Sequence, residues 1–333
     1  MKISILGAGG WGTALSIVLH RNKHNVTLWE YNPEYAHTLR EYRENFYYLR
    51  GIKIPAAIKI SNDIEKAVSA AEMIVVSTPT QFIRNVMEKI KNFHFRDKIL
   101  LNVSKGIENG TLMTVSEIFL DILKNINKKN IASLSGPSHA EEVARNIPTA
   151  VSVASSDEKN ARLVQKTFSN RHFRVYTTND IKGVELGGAL KNVIAIAAGI
   201  AEGAGFGDNT KAAIMTRGIR EITRLGKKMG ADEKTFMGLS GIGDLIVTCM
   251  SRLSRNRYVG EQIGKGRKLR QVLSGMKMVA EGVATTKSAH QLARKLNVEL
   301  PITEQVYKML FEDKNPHQAT EELMTRDLKK ETR

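Results

Sequence analysis

Ile3-Ser4-Ile5-Leu6-Gly7-Ala8-Gly9-Gly10-Trp11-Gly12-Thr13-Ala14-Leu15-Ser16-Ile17-Val18-Leu19 places an apolar, strand-like run, a glycine turn and an apolar helix-like run in immediate succession. Its glycines fall at Gly7, Gly9 and Gly12, the spacing of a dinucleotide-binding turn. Each glycine has a separate task there: the first makes the tight turn, the second lets backbone approach a pyrophosphate, and the third lets helix and strand pack closely. The amides at the start of the helix then face negative charge. A glycine triplet alone is weak evidence, but here the strand precedes it and the helix follows.

Working outward, the pattern repeats. Strand-like Val26–Trp29 ends at Glu30, 18 residues past Gly12 and near the position where an acid meets the adenosine ribose. A carboxylate there accepts from a 2′-hydroxyl and repels a 2′-phosphate, which tilts the reading toward NAD over NADP; an ordinary strand-end acid is the alternative. Helix-like Pro33–Glu44, Asp63–Ala71 and Gln81–Lys91 alternate with strand-like Ala57–Ile60, Met73–Ser77 and Ile99–Val103. Ile131–Leu134, Ala150–Val153 and Phe173–Tyr176 continue the series, with helical spacing over Asp157–Phe168. This alternation predicts a doubly wound, mainly parallel α/β sheet. Ligands in such sheets sit beyond the C-terminal strand ends. Ser77-Thr78-Pro79, Ser104-Lys105-Gly106 and Ser135-Gly136-Pro137-Ser138 all fall there. Lys105 is thereby placed at the cleft mouth or, on position alone, equally on the surface.

After Tyr176 the pattern becomes helical throughout, over Val184–Gly203, Lys211–Met229, Lys268–Gly275, Lys287–Leu296, Ile302–Phe311 and Pro316–Leu323. The expected architecture is an N-terminal Rossmann-like domain over 1–179 and an all-helical domain over 180–333. Val184–Ala204 is apolar or small almost all the way round, which belongs inside a protein. Lys191 lies in it, with Gly187, Gly188, Ile194 and Ala195 three to four residues away on its face. Such a lysine either snorkels out along its stem or has its pKa lowered so that it exchanges a proton with a substrate. The two glycines favour the second reading, because glycine inside a helix marks a close approach by something else. Gly238–Leu245 is glycine-dense, and its Asp244 is either a helix N-cap or a carboxylate partner for Lys191. Ser254-Arg255-Asn256-Arg257 offers guanidinium and neutral donors in one short loop, the equipment for holding a phosphate.

Composition bounds these readings. The chain has 333 residues, 42% hydrophobic and 25% charged, enough for two domains with a core each. Its longest apolar run, Val193–Ala201, is too short to cross a bilayer, so no membrane insertion is expected. Met1-Lys2 leads straight into the first strand with no room for a signal peptide, and a cytoplasmic location is expected. Cys249 is the only cysteine, which leaves no disulfide framework and no cysteine-based metal site; no metal is expected. The net charge of +16 suits anionic partners. Aromatics are only 6%, however, and no nucleic-acid motif appears. Arg252–Arg270, with seven basic residues against Glu261, is either a solvated face or a phosphate-binding segment.

Six stretches together resemble the bacterial-type NAD(P)-dependent glycerol-3-phosphate dehydrogenases: Gly7–Leu15, Ser104–Glu108, Ser135–Ser138, Glu185–Asn192, Gly241–Leu245 and Ser254–Asn256. The resemblance covers nearly the whole chain. It implies interconversion of sn-glycerol 3-phosphate and dihydroxyacetone phosphate with NAD or NADP, in supply of glycerophospholipid synthesis. By the same resemblance Gly10, Trp11, Tyr31, Tyr48, Lys105 and Ala140 line the cofactor, and Arg255, Val279 and Glu281 close over it from the second domain. Lys105, Gly136, Ser138, Lys191, Asp244, Ser254, Arg255 and Asn256 surround the substrate, with Lys191 as proton acceptor. Three departures stand out. Gly10 replaces a common serine, which the sequence reads as a mild change. Tyr31 and Asn32 stand where many members carry arginine for a 2′-phosphate, which again leans toward NAD. Leu49-Arg50-Gly51 replaces Leu-Pro-Gly. The rival readings are another two-domain 3-hydroxyacid or 3-hydroxyacyl-CoA dehydrogenase and an NAD-sensing regulator. The expected partners are a small phosphate substrate and a second copy in a homodimer, with no nucleic acid.

Overall fold

The structure is a computed structural model and describes residues 1–328, 330 and 331; Lys329, Thr332 and Arg333, the last part of the helical domain expected over 180–333, lie outside the described residues. Ten strands are described: β1 Lys2–Leu6, β2 Asn25–Trp29, β3 Glu44–Asn45, β4 Leu49–Lys53, β5 Lys59–Ser61, β6 Met73–Val76, β7 Ile99–Asn102, β8 Ile131–Ser135, β9 Thr149–Ser155 and β10 Phe173–Thr178. Eight form one sheet in the order β10-β9-β8-β7-β6-β1-β2-β5. Every residue of β6, β7 and β8 is buried, as strands covered on both faces must be. One face packs Ile3, Leu15, Leu101 and Val153, and the other packs Val76, Ile83, Leu100 and Phe119. The strand order reverses between β1 and β6, so the Gly7 turn and the Ser77-Thr78 turn open onto one crevice.

The sheet departs from the expected pattern in two places. β9 runs antiparallel to β8, because the connection between them contains only the short Ala140–Ala144 helix. Five helical residues advance about 7.5 Å, less than the return run a parallel crossover needs. The helix expected to reach Glu44 stops at Tyr42, where Arg43 takes a left-handed φ of 50°. The chain then makes the β3–β4 hairpin. Asn45 anchors this hairpin on the glycine turn, its Nδ2 donating to the Ala8 carbonyl at 2.8 Å and to Thr13 Oγ1 at 2.7 Å.

The remainder is helical. Ile181–Gly203 runs through the middle, capped by Asp180, whose Oδ1 accepts from the Gly183 amide at 2.8 Å. Its length and composition would let it cross a bilayer, at a mean hydropathy of 1.5, yet its apolar window is wholly buried inside the protein. Around it pack Asp208–Lys228, Asp244–Met250, Arg255–Gly264, Glu281–Leu296 and Pro301–Phe311, with shorter helices at Glu233–Phe236, Leu269–Ser274 and Pro316–Met324. The Arg255–Gly264 helix lies closest. A Cβ on Gly260 would stand 2.1 Å from the Ile196 carbonyl and one on Gly199 2.1 Å from the Arg257 carbonyl, so both helices need glycine where they touch. Ser254-Arg255-Asn256-Arg257 is therefore not a loop but the start of this helix, with the Ser254 Oγ accepting from the Arg257 amide.

Candidate active site

Lys191 does not reach solvent. It is 5% exposed, and its Nζ donates to Asp244 Oδ1 at 2.5 Å and to Thr248 Oγ1 at 2.6 Å. Lys105, at the end of β7, donates from Nζ to the other Asp244 oxygen at 2.6 Å, to the Gly136 carbonyl at 2.9 Å and to Ser138 Oγ at 3.4 Å. One buried carboxylate thus stands between two ammonium groups, one from each half of the chain. Gly187 and Gly188 make this possible. A Cβ on Gly187 would lie 2.5 Å from the Ser240 carbonyl, and one on Gly188 2.6 Å from Ser135 Oγ and 3.4 Å from Lys105 Cγ. Asp244 is the first residue of its helix, and its side chain is committed to the lysines.

Burial lowers the Lys191 pKa to about 8; Asp244 pulls it upward and the nearby Lys105 charge lowers it further. Burial alone would raise Asp244, but the Lys105 and Lys191 charges outweigh it and hold the carboxyl below its usual value. Near pH 8 the lysine can give or take a proton without a large penalty, while the carboxylate stays ionised.

The two lysines and the glycine turn line one cavity of about 640 Å³. Gly7, Gly9, Gly10, Trp11, Glu30, Tyr31, Tyr48, Ala140, Val279 and Glu281 line it together with Lys105, Ser138, Lys191, Ser254, Arg255 and Asn256. Gly12, Gly136 and Asp244 are not among the lining residues; Gly136 and Asp244 meet the cavity through the lysines they bond. The glycines fit a nucleotide by geometry. Gly7 has φ +117°, a Cβ on Gly12 would sit 2.0 Å from the Gly7 carbonyl, and Gly9 has open space around it. The Trp11 and Trp29 Nε1 donors are buried without a partner, and both rings line the same cavity. Glu30 is buried, its Oε1 accepting from the Asn32 amide at 3.0 Å; burial raises its pKa against the pull of neighbouring amides.

Several sequence readings change. A Cβ on Gly10 would meet the Tyr48 carbonyl at 2.5 Å, so the exchange from serine is steric rather than mild: the β3–β4 hairpin closes on the bare backbone. Arg50 is exposed on that hairpin, and nothing in the structure explains it. Of the basic segment only Arg255 faces the cavity, with Nη1 donating to the Val279 carbonyl at 3.1 Å. Arg257 is buried against Glu202 at 2.8 Å and Glu261 at 3.1 Å. Lys265 pairs with Glu261 and Lys268 with Asp313. Glu281 does not point free into the cofactor space: Oε1 accepts from the Thr80 amide at 2.5 Å and Oε2 from the Lys105 amide at 3.2 Å. Sequence reasoning missed Thr248 and Asn192. Thr248 carried a signal, since it follows Asp244 by four residues and so shares its helix face. Asn192, next to Lys191, carried none that distinguishes it from helix filler.

A nucleotide cradle facing a lysine of adjustable charge, across a seam between an α/β half and a helical half, defines a two-part nicotinamide-dependent dehydrogenase. Residues 2–161 match the N-terminal part and residues 180–321 the C-terminal part of the NAD-dependent glycerol-3-phosphate dehydrogenases. The chain is 52% identical over 330 residues to the NAD(P)+ glycerol-3-phosphate dehydrogenase of Geobacter sp. (strain M21), covering 99% of this chain and 98% of that one. It is 50% identical over 331 residues to that of Chlorobium luteolum, covering 99% of each. A crystal structure of glycerol-3-phosphate dehydrogenase from Coxiella burnetii superposes with a TM-score of 0.93 at 36% identity, covering 98% of this chain and 99% of that one. The chain belongs to the NAD-dependent glycerol-3-phosphate dehydrogenase family.

Proposed function

We propose that this protein interconverts sn-glycerol 3-phosphate and dihydroxyacetone phosphate in a cytoplasmic setting, with NAD preferred over NADP. The observation that carries this reading is the Lys191–Asp244–Lys105 arrangement, whose lysines line the same cavity as the glycine turn. A bound nicotinamide supplies the hydride acceptor or donor. The chain supplies the rest. In oxidation, neutral Lys191 takes the C2 hydroxyl proton as the C2 hydride leaves, and in reduction charged Lys191 returns that proton to the carbonyl oxygen. Lys105, held by Gly136 and Ser138, polarises the same oxygen. Arg255, Asn256 and the start of their helix face the cavity where a phosphate would lie, and binding there orients the carbon that reacts.

NAD preference rests on the buried Glu30 carboxylate and on the absence of arginine at positions 31 and 32. With dihydroxyacetone phosphate, NADH is expected to be oxidised about tenfold faster than NADPH at equal low concentration, a gap of about 1.4 kcal/mol. Equal rates would end the preference, and oxidation of neither would end the proposed activity. The split into a nucleotide domain over 1–179 and a substrate domain over 180–333 is supported by the gap between β10, ending at Thr178, and the helix starting at Ile181. The lone buried thiol of Cys249 suits a reducing compartment. A homodimer, the commonest closed assembly, is expected to sediment at twice the mass of one chain; sedimentation at the single-chain mass rejects it.

A further inference from the structure

The Lys105 backbone takes its partners from side chains of the helical half. Its amide donates to Glu281 Oε2 at 3.2 Å, and its carbonyl accepts from Asn192 Nδ2 at 3.1 Å. Asn192 Oδ1 in turn accepts from Asn256 Nδ2 at 2.8 Å. Asn256 Oδ1 accepts from the Gly282 amide at 3.0 Å, and Gly282 follows Glu281 in the chain. These four bonds close a ring through the turn after β7, the central helix and the first turns of the Arg255–Gly264 and Glu281–Leu296 helices. The ring is tight. Asn192 is 4% and Asn256 9% exposed, and a Cβ on Gly282 would stand 2.7 Å from the Asn192 carbonyl and 2.8 Å from Asn256 Oδ1. Each amide uses its oxygen and its nitrogen in the ring, so neither can turn over without breaking two bonds.

We propose that this ring makes Asn192 and Glu281 positioning residues: together they set where the Lys105 ammonium stands beside the substrate oxygen, and they tie that position to Asn256 at the phosphate end of the cavity. The proposal rests on the activity given above. Its physical content is mechanical. Lys105 stands on a turn beyond the last sheet bond of β7, where the sheet no longer fixes the backbone. Two bonds from opposite sides replace that restraint. A third contact, the Glu281 Oε1 bond to the Thr80 amide, fixes Glu281 itself against the start of the Thr80–Ile90 helix. A group settling against Arg255 and Asn256 therefore reaches Lys105 through two rigid amides rather than through a flexible loop. A shift of about 1 Å at a reacting group costs about 100-fold in rate, so slackening the ring should appear in turnover rather than in binding.

The test is steady-state reduction of dihydroxyacetone phosphate by NADH for the wild type, Asn192→Ala, Glu281→Gln and the double variant, with NADH affinity measured in parallel. Asn192→Ala is expected to lower kcat about 100-fold while KM and NADH affinity stay within about threefold. Glu281→Gln keeps the volume and one of the two amide bonds, and is expected to fall between that variant and the wild type. Because one ring is cut in either case, the double variant should be about as slow as the slower single. Should Asn192→Ala not fold, Asn192→Asp carries the same expectation, since it keeps the bond from Asn256 but turns an acceptor toward the Lys105 carbonyl. Effects that multiply, an unchanged kcat or a rise in KM alone overturn the ring. An inactive wild type overturns the activity itself, and the ring with it.

Discussion

Lys191→Ala is expected to lower turnover in both directions by about 10²- to 10⁴-fold, the range for removing a positioned acid or base, while NADH binds as before. The nucleotide end of the cavity is built by the β1 turn and the residues around it, none of which leans on the lysine side chain. Binding and chemistry should therefore separate cleanly. In the wild type the same group sets the pH dependence. Its pKa is lowered to about 8 by burial, so oxidation, which needs the neutral amine, should rise as pH passes upward through about 8. Reduction needs the ammonium and should fall over the same interval. In the variant both limbs should vanish from the residual rate. Initial rates in each direction across pH 6.5–9.5 (about three units spanning the expected midpoint) decide the matter. Near-normal turnover in the variant, or limbs that persist in it, would remove Lys191 from the chemistry.

The glycine turn and the alternating strands were legible because their causes are local. Gly7 needs a positive φ, Gly12 has no room for a Cβ, and β6 and β7 are apolar on both faces, all of which leave marks in the letters themselves. Lys191 was legible for a similar reason: a charge in a helix without a polar face must find a partner. The β3–β4 hairpin was not, since it is held by Asn45 reaching the Ala8 carbonyl across 37 residues, a long-range bond that no local period encodes. The antiparallel turn into β9 depends on what the Ala140–Ala144 helix is too short to do. Arg255 and Arg257 read alike in sequence, and only helix phase sends one to the cavity and the other into the Glu202–Glu261 pair. The Lys105 ring escaped for the same reason as the hairpin: its four bonds join residues 176, 87, 64 and 26 apart.

Asp244→Asn is the second change with a large expected effect, and its pH dependence distinguishes a charge partner from a helix cap. The carboxylate is 1% exposed and meets Lys191 and Lys105 with one oxygen each. An amide of the same shape removes the charge that holds both ammoniums in place, leaving two like charges in a dry site. Lys191 then loses the interaction that raised its pKa, which should fall below about 8. The reduction limb should move to lower pH, and reduction at neutral pH should slow by about 100-fold or more for want of a charged donor. Breaking one side of a buried pair costs about 3–5 kcal/mol when the remaining charge cannot leave. Here it can leave as a proton. A lysine whose folded pKa lies below its unfolded value binds fewer protons folded than unfolded, so stability rises with pH between those two values. The deficit of the variant against the wild type should thus shrink as pH rises from the variant's lowered pKa to about 8, where the wild-type lysine begins to gain equally, and stay level above that in thermal melts. A helix cap predicts something different: a constant loss of about 1 kcal/mol at every pH and an unmoved kinetic limb. Melting both proteins at pH 7 and at pH 9 separates the two, because only a carboxylate neutralising Lys191 and Lys105 makes the gap depend on protons.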